Sequence, residues 1–415
     1  MRGSKPLFAF AGALVVAAAC HGDDHESGTS STSTSTSTTD TSTSTTETST
    51  STTTSGGSTG PGTEVCGDGG AVSGVFCFHP RVTVFSGAAV GALVIAEVDS
   101  GADGPEVIAG TGAGVRVLPW TGDGLDAGAA ALAGATDVLA LAAGDFDGDG
   151  ATDVVASDAG GGGLAIFLGK GGGLGAGDGV AGLDEAPRAL GAGDFDGDGA
   201  LDVAAALEGA GVVGALLGAG DGTFSAPQLV TVGSSPVALA VGRFDGDARD
   251  DVAVANLGSS TVSIVLGAGG GLDVPTSMAL SMSPRALAAT SLGPDMAADL
   301  LVVGESPELL VTLSGFGDGS VAGGLGVALS ATPRGVAAGD LDGDGDDDLV
   351  VVLRDVAAVQ IWDNVGGSLH ASAVLSVLPE PATVAVGDLD GDGVAEIVVG
   401  SDGPSGGLAL LASDP

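Results

Sequence analysis

Tyrosine is absent from this 415-residue chain, tryptophan occurs twice and phenylalanine eleven times. With so few aromatics, Val, Leu and Ala must do most of the packing. Basic residues are also scarce: 11 Lys and Arg stand against 53 Asp and Glu, for a formal net charge of −42. Such a surface repels nucleic acid and anionic lipid and favours cations, which excludes a nucleic-acid partner. Beyond residue 19 no apolar stretch approaches the roughly 20 residues of a membrane span. The apolar residues come instead in short runs cut by 77 glycines, which is strand punctuation and not helix.

The usual catalytic groups are thin. His21 and His25 lie in a Ser/Thr-rich stretch, His79 sits beside a cysteine, and His370 falls in an expected turn. Lys170 is the one lysine past residue 19. Gly-x-Gly-x-x-Gly matches are expected by chance at this glycine content and open no helix, so no phosphate cradle is supported. These absences give the expectation that the chain is not an enzyme.

Three cysteines divide by position. Residues 1–19 carry Arg2, Lys5 and an apolar stretch from Leu7 to Val16, then Ala17-Ala18-Ala19-Cys20, which reads as a signal peptide. Two readings follow, simple cleavage after Ala19 or lipidation of Cys20; both export the protein, to the outer membrane or cell surface as a lipoprotein, or secreted. Cys66 and Cys77 in an exported chain read as a disulfide, making residues 64–80 a local clip. Residues 20–63 form a linker whose Ser, Thr and Gly cannot bury apolar surface. As a flexible coil its Ser/Thr-rich part, residues 27–60, would span roughly 30–35 Å.

From about residue 81 to 415 a repeat takes over. Asp145-Phe-Asp-Gly-Asp-Gly recurs as Asp194-Phe-Asp-Gly-Asp-Gly, Asp340-Leu-Asp-Gly-Asp-Gly and Asp388-Leu-Asp-Gly-Asp-Gly. Decayed copies start at Glu97, Arg243 and Ser291, so seven starts are spaced 48 or 49 residues apart. A fixed period of this length marks units that bury their apolar faces only against neighbours. Pro187, Pro236, Pro284, Pro333 and Pro381 each open a strand seven residues before a loop. Three further short strands follow each loop, the content of a propeller blade. The last unit stops after its third strand at Leu408-Ala-Leu-Leu, and Arg81-Val-Thr-Val-Phe85 matches the missing fourth. The pattern therefore predicts an all-β, seven-bladed β-propeller of four-stranded blades, closed by an N-terminal strand.

The string Gly-Asp-Phe-Asp-Gly-Asp-Gly-x-x-Asp-Val-Val, with Gly220-Asp-Gly-Thr-Phe-x-x-Pro227 downstream, resembles the FG-GAP or VCBS-type repeat. It is similar to the repeats of the integrin α-subunit propeller and its bacterial relatives. That resemblance implies calcium in the loops joining the first and second strands of a blade.

The residues support the same chemistry independently. Ca²⁺ takes six to eight oxygens, and carboxylates at alternate positions of a tight loop supply them. The expected ligand sets are Asp145, Asp147, Asp149 and Asp153; Asp194, Asp196, Asp198 and Asp202; Asp340, Asp342, Asp344 and Asp348; and Asp388, Asp390, Asp392 and Glu396. About four structural calcium sites follow. Arg243 replaces the first acid of the fourth unit, leaving Asp245, Asp247 and Asp251, with the guanidinium standing in for the ion or not. The fifth unit keeps only Asp295 and Asp299 and is expected to be empty. The first has Glu97, Asp99, Asp103 and Glu106 at altered spacing.

Arg188, Arg285 and Arg334 share a register directly after the strand-opening proline, near the expected central channel and opposite the loops. They could hold a carboxylate or sulfate ligand, or pair with neighbouring acids. Trp120 and Trp362 are assigned to the first and last units, which closure would make neighbours. The functional expectation is a monomeric, surface-tethered calcium-binding propeller for adhesion or scaffolding, with an extracellular protein or polysaccharide as partner and membrane contact only through a lipid anchor. The alternative is a polysaccharide lyase on the same scaffold.

Overall fold

The computed structural model describes residues 76, 78–79, 81–101, 104–122, 124–128, 131–180, 182–292, 297–324 and 326–413. The leader at 1–19, Cys20, the linker at 20–63, and Cys66 and Cys77 lie outside the described residues, as do Asp103 and Asp295.

Seven antiparallel sheets form seven blades, numbered here in chain order. Their innermost strands are Val90–Ala96, Leu141–Gly144, Ala189–Gly193, Pro236–Gly242, Ser283–Thr290, Pro333–Gly339 and Pro381–Gly387. Each strand leads into one repeated loop and returns as the second strand of the same blade. In blade III, for example, Asp202–Leu207, Val212–Leu216 and Gln228–Thr231 follow in order outward.

Consecutive innermost strands lie against one another, and the last lies against the first, so the ring is closed. The closure is covalently out of order, as the sequence predicts. Val82–Ser86 is the outer strand of blade VII, with Val82 paired to Leu410, Thr83 to Ala409 and Phe85 to Leu408. An unpaired edge on Gly407–Leu411 is thereby covered. Arg116 of blade I stacks over the Phe85 ring at 4.6 Å. Upstream, Phe78 bridges Ser413, and Phe76 and Phe78 pack on the core between blades VI and VII.

The apolar residues sort into seven clusters, one for each interface between adjacent blades. The cluster joining VII to I, with Leu93, Val107, Val398 and Leu408, is built like the others. Because each sheet is covered on both faces, second strands such as Asp202–Leu207 and Asp348–Leu353 are buried along their whole length. That explains their unbroken apolar runs. Space between blades is tight: a Cβ on Gly144 would stand 2.4 Å from Leu201 Cδ1 of the next blade.

Several details differ from expectation. Blade I has three strands among the described residues, with Leu132 bridging Val115 where a fourth would lie. The outer strand of blade V is broken into Val321–Gly323 and Val327–Ala328, both on Leu309–Gly315. His370 lies in the strand Ser368–Ser376, not in a turn. Trp362 belongs to blade VI and is buried between V and VI, whereas Trp120 packs where VII meets I, so the two are not neighbours. The error was a miscounted unit.

Candidate metal centres

All four full loops share one internal bonding pattern. The first acid accepts N–H bonds from the two glycines: Gly148 and Gly150 donate to Asp145 at 2.8 and 3.0 Å, and Gly197 and Gly199 to Asp194 at 2.7 and 3.0 Å. Asp340 and Asp388 do the same. Gly148 and Gly150 have φ of 74° and 87°, which a side chain would strain. The second acid accepts from the third residue's N–H two positions on, as Asp149 does to Asp147 at 3.2 Å. The loop is thus held with its carboxylates turned inward.

The structure gathers Asp145, Asp147 and Asp153; Asp194, Asp196 and Asp202; Asp340, Asp342 and Asp344; and Asp388, Asp390 and Glu396, each group with one oxygen per residue within 4.8 Å of the others. Asp149, Asp198 and Asp392 are exposed and outside these groups, and Asp348 is replaced in its group by Asp344. Four acidic clusters able to coordinate a metal ion therefore exist. The donor set is all carboxylate, which suits a hard cation such as Ca²⁺. Asp342 adds a specific sign of fit: it is 7% exposed, and its Oδ2 is buried with no hydrogen-bond partner. A buried carboxylate oxygen without a donor is costly unless protonated or ligated.

Blade IV shows how a loop is kept without the first acid. Arg249, not Arg243, engages the loop by pairing with Asp247. Arg243 Nε instead donates to Asp250 Oδ1 at 3.2 Å.

The closing acid has a second role that the motif did not reveal. In every blade one of its oxygens accepts the N–H of the loop's buried second residue: Val98 to Glu106, Phe146 to Asp153, Phe195 to Asp202, Phe244 to Asp251, Leu292 to Asp299, Leu341 to Asp348 and Leu389 to Glu396, at 2.7–3.0 Å. In blades II to VI the other oxygen accepts an N–H at or just past the end of the third strand, from Gly169, Gly218, Gly267, Gly315 and Asn364. In blade VII the Ser413 hydroxyl donates to Glu396 Oε1 at 2.8 Å. This carboxylate staples the first loop to the end of the third strand. Its persistence as Asp299 in blade V, whose loop keeps only Asp295 of its acids, was the available sequence signal.

Burial pushes the carboxyls of Asp202 and Asp251 up to about 6 and those of Asp348 and Glu396 up to about 7, against the N–H and hydroxyl bonds they accept; neighbouring loop acids add to the rise. The folded chain therefore keeps protons at pH values where the unfolded chain, with carboxyls titrating at 3.8 to 4.5, has lost them. This contribution to stability is whole below the ordinary carboxylate range and is lost as pH rises through about 6 to 7. In EDTA the melting temperature should thus be higher at pH 5 than at pH 8. A melting temperature that climbs over that interval would contradict the assignment.

At the opposite end of the blades the arginines are engaged by acids. Arg188 Nε donates to Glu208 Oε2 at 2.6 Å, Arg285 pairs with Glu305, and Arg354 Nη1 donates to Asp402 Oδ1 at 2.6 Å. Arg354 stands twenty residues past Arg334, the spacing at which Glu208 and Glu305 follow Arg188 and Arg285. An open depression of 580 Å³ at this end is lined by Leu139, Glu185, Ala186, Arg188, Glu208, Gly209 and Ser235.

The FG-GAP-like repeat family matches residues 145–205, 194–254 and 340–399, which contain five of the seven loops. No curated protein matches the chain. Among solved structures, BBS1N in complex with ARL6DN is similar over 82% of this chain and 98% of its own, at 12% identity and a TM-score of 0.59. A catalytically inactive virginiamycin B lyase from Staphylococcus aureus, solved with quinupristin, is similar over 81% of this chain and 99% of its own, at 14% identity and a TM-score of 0.52. A protein from Lactobacillus plantarum gives 80%, 96%, 18% and 0.51. Such identities speak to fold alone. They nonetheless overturn the expectation that the chain is not an enzyme. A lyase is built on a similar fold, so scarce His and Lys and a missing nucleophile motif do not exclude catalysis. The chain is a seven-bladed propeller with FG-GAP-type repeats.

Proposed function

We propose that this FG-GAP-type propeller is an exported calcium-binding recognition module that docks an extracellular protein or polysaccharide. It is held at the cell surface by a lipid on Cys20 and the Ser/Thr-rich linker. Calcium sits in the loops of blades II, III, VI and VII, held by the gathered acids, and neutralises carboxylates that otherwise repel one another. The carrying observation is the division of labour between the two ends. One end commits its acids to four clusters and six staples. The other presents the depression around Arg188, Glu208 and Ser235. BBS1N, seen in complex with ARL6DN, supports protein docking by a similar fold. The closed ring, with its last inner strand against its first, supports a monomer.

The lyase neighbour favours a second reading, an extracellular enzyme built on the same kind of propeller. Glu185 and Glu208 flank Arg188 in the depression, which gives a carboxylate to move a proton and a guanidinium for developing negative charge.

The test is a double substitution, Arg188→Gln with Glu208→Gln, which removes both charges of a part-buried pair together and so leaves neither without its partner. Retention of defined acidic polysaccharides and cross-linking to native surface proteins should both be compared with wild type. Loss of retention with unchanged melting supports docking. Product release by wild type, abolished in the double variant, supports the second reading. Unaltered binding without turnover would remove the depression from both.

A further inference from the structure

The four acidic clusters are not equivalent, and the difference lies outside the repeated motif. The pairing of Leu349 with Trp362 sets Asp363 across from the closing acid Asp348, at the loop end of blade VI. The pairings of Val154 with Phe167, Val203 with Leu216 and Val252 with Val265 put Leu168, Leu217 and Leu266 at that position in blades II, III and IV. Blade II shows what the position adjoins. A Cβ on Gly222 would lie 3.3 Å from Leu168 Cδ2 and 3.5 Å from Asp147 Cβ, so the residue flanks the loop's second acid. The matching pair in blade VI is Asp363 and Asp342.

Asp342 is the acid whose buried Oδ2 has no hydrogen-bond partner. Burial, the other loop acids and the charge of Asp363 all push its carboxyl up, and Asp363 acts on Asp348 in the same direction. The strand end that carries Asp363 is fixed to the loop. Asn364 donates its N–H to Asp348 Oδ1 at 2.9 Å and its Nδ2 to the Asp347 carbonyl at 3.0 Å.

We propose that Asp363 is an additional carboxylate of the blade VI cation site, which makes this site fill ahead of the other three. The proposal rests on cation binding by the loops. Ligand charge count is a main determinant of affinity for a hard cation, and here the position that holds Leu in blades II to IV carries a further carboxylate. The other neighbour of Asp363 is exposed His370, its cross-strand partner. A pairing with that exposed imidazole would not require the loop at all.

Trp362, directly before Asp363, supplies a local readout. In a Trp120→Phe background, terbium(III) is titrated into EDTA-stripped protein and its tryptophan-sensitised emission followed. Isothermal titration counts the total sites. In the parent the sensitised signal should saturate with the tightest class. Asp363→Leu, the residue of blades II to IV, and the near-isosteric Asp363→Asn should each move that midpoint about tenfold higher. His370→Asn should leave it in place, and Asp342→Asn should abolish it. If both Asp363 variants keep the parent midpoint while Asp342→Asn abolishes the signal, the proposal fails and cation binding stands. If the parent binds no terbium, both fail.

Discussion

Adding 10 mM calcium to EDTA-treated protein at pH 8 should raise its melting temperature by about 8 to 15 °C. The size follows from linkage. A site of extracellular type, with a Kd of about 0.1 to 1 mM, adds roughly 1.4 to 2.7 kcal/mol at that concentration, and four clusters therefore add about 6 to 11 kcal/mol. A domain of some 330 residues has an unfolding entropy near 0.7 kcal/mol per kelvin, which converts that gain into the stated shift. The physical origin lies in the loops. Asp194, Asp196 and Asp202 converge within 4.8 Å, and three carboxylates so close repel one another unless protonated or bound to a cation. The effect of calcium should be smaller at pH 5, where protons already occupy part of these groups. Magnesium should substitute poorly, because it demands a smaller octahedral shell.

Asp299→Ala is expected to destabilise the protein by about 3 to 5 kcal/mol, equally in calcium and in EDTA. Asp299 is 6% exposed and accepts the N–H groups of Leu292 and Gly315 at 2.9 and 3.0 Å. Truncation leaves two buried donors without partners, each costing about 1 to 3 kcal/mol. Blade V has no acidic cluster among its described residues, which makes it the blade where the staple can be tested apart from a cluster. Asp145→Asn is the contrasting variant. It should lower the calcium-induced shift and leave the EDTA melting temperature close to wild type. Chemical denaturation of both variants with and without calcium measures the difference. Equal losses from the two variants in EDTA would mean that staple and cluster residues are not separable.

The fold was legible because it is repetitive. A spacing of 48 or 49 residues, prolines in register and a missing last strand are properties of the chain itself, and ring closure by Val82–Ser86 followed from matching the two ends. The acidic clusters were legible for the same reason, since alternating Asp and Gly can turn several oxygens inward only in a tight loop. Less was visible where a residue serves two purposes. Asp153, Asp202 and Glu396 read as ligands, yet each also ties its loop to the far end of the third strand. That bond spans about sixteen residues and depends on register across two strands. Arg249 was likewise passed over, because the loop's first position drew attention to Arg243 while the guanidinium that meets Asp247 comes from the other side of the turn. The glutamates facing Arg188 and Arg285 lie twenty residues downstream, at the end of the next strand, so only the sheet pairing discloses them.

Direct counting of bound ions tests the central claim most simply. Crystals grown in calcium and measured at a wavelength sensitive to its anomalous scattering should show four ions. One should lie in each loop of blades II, III, VI and VII, and none beside Arg249 in blade IV or Asp299 in blade V. Loops holding only water at saturating calcium, with Asp145, Asp194, Asp340 and Asp388 bonded to nothing but their own glycine amides, would contradict it.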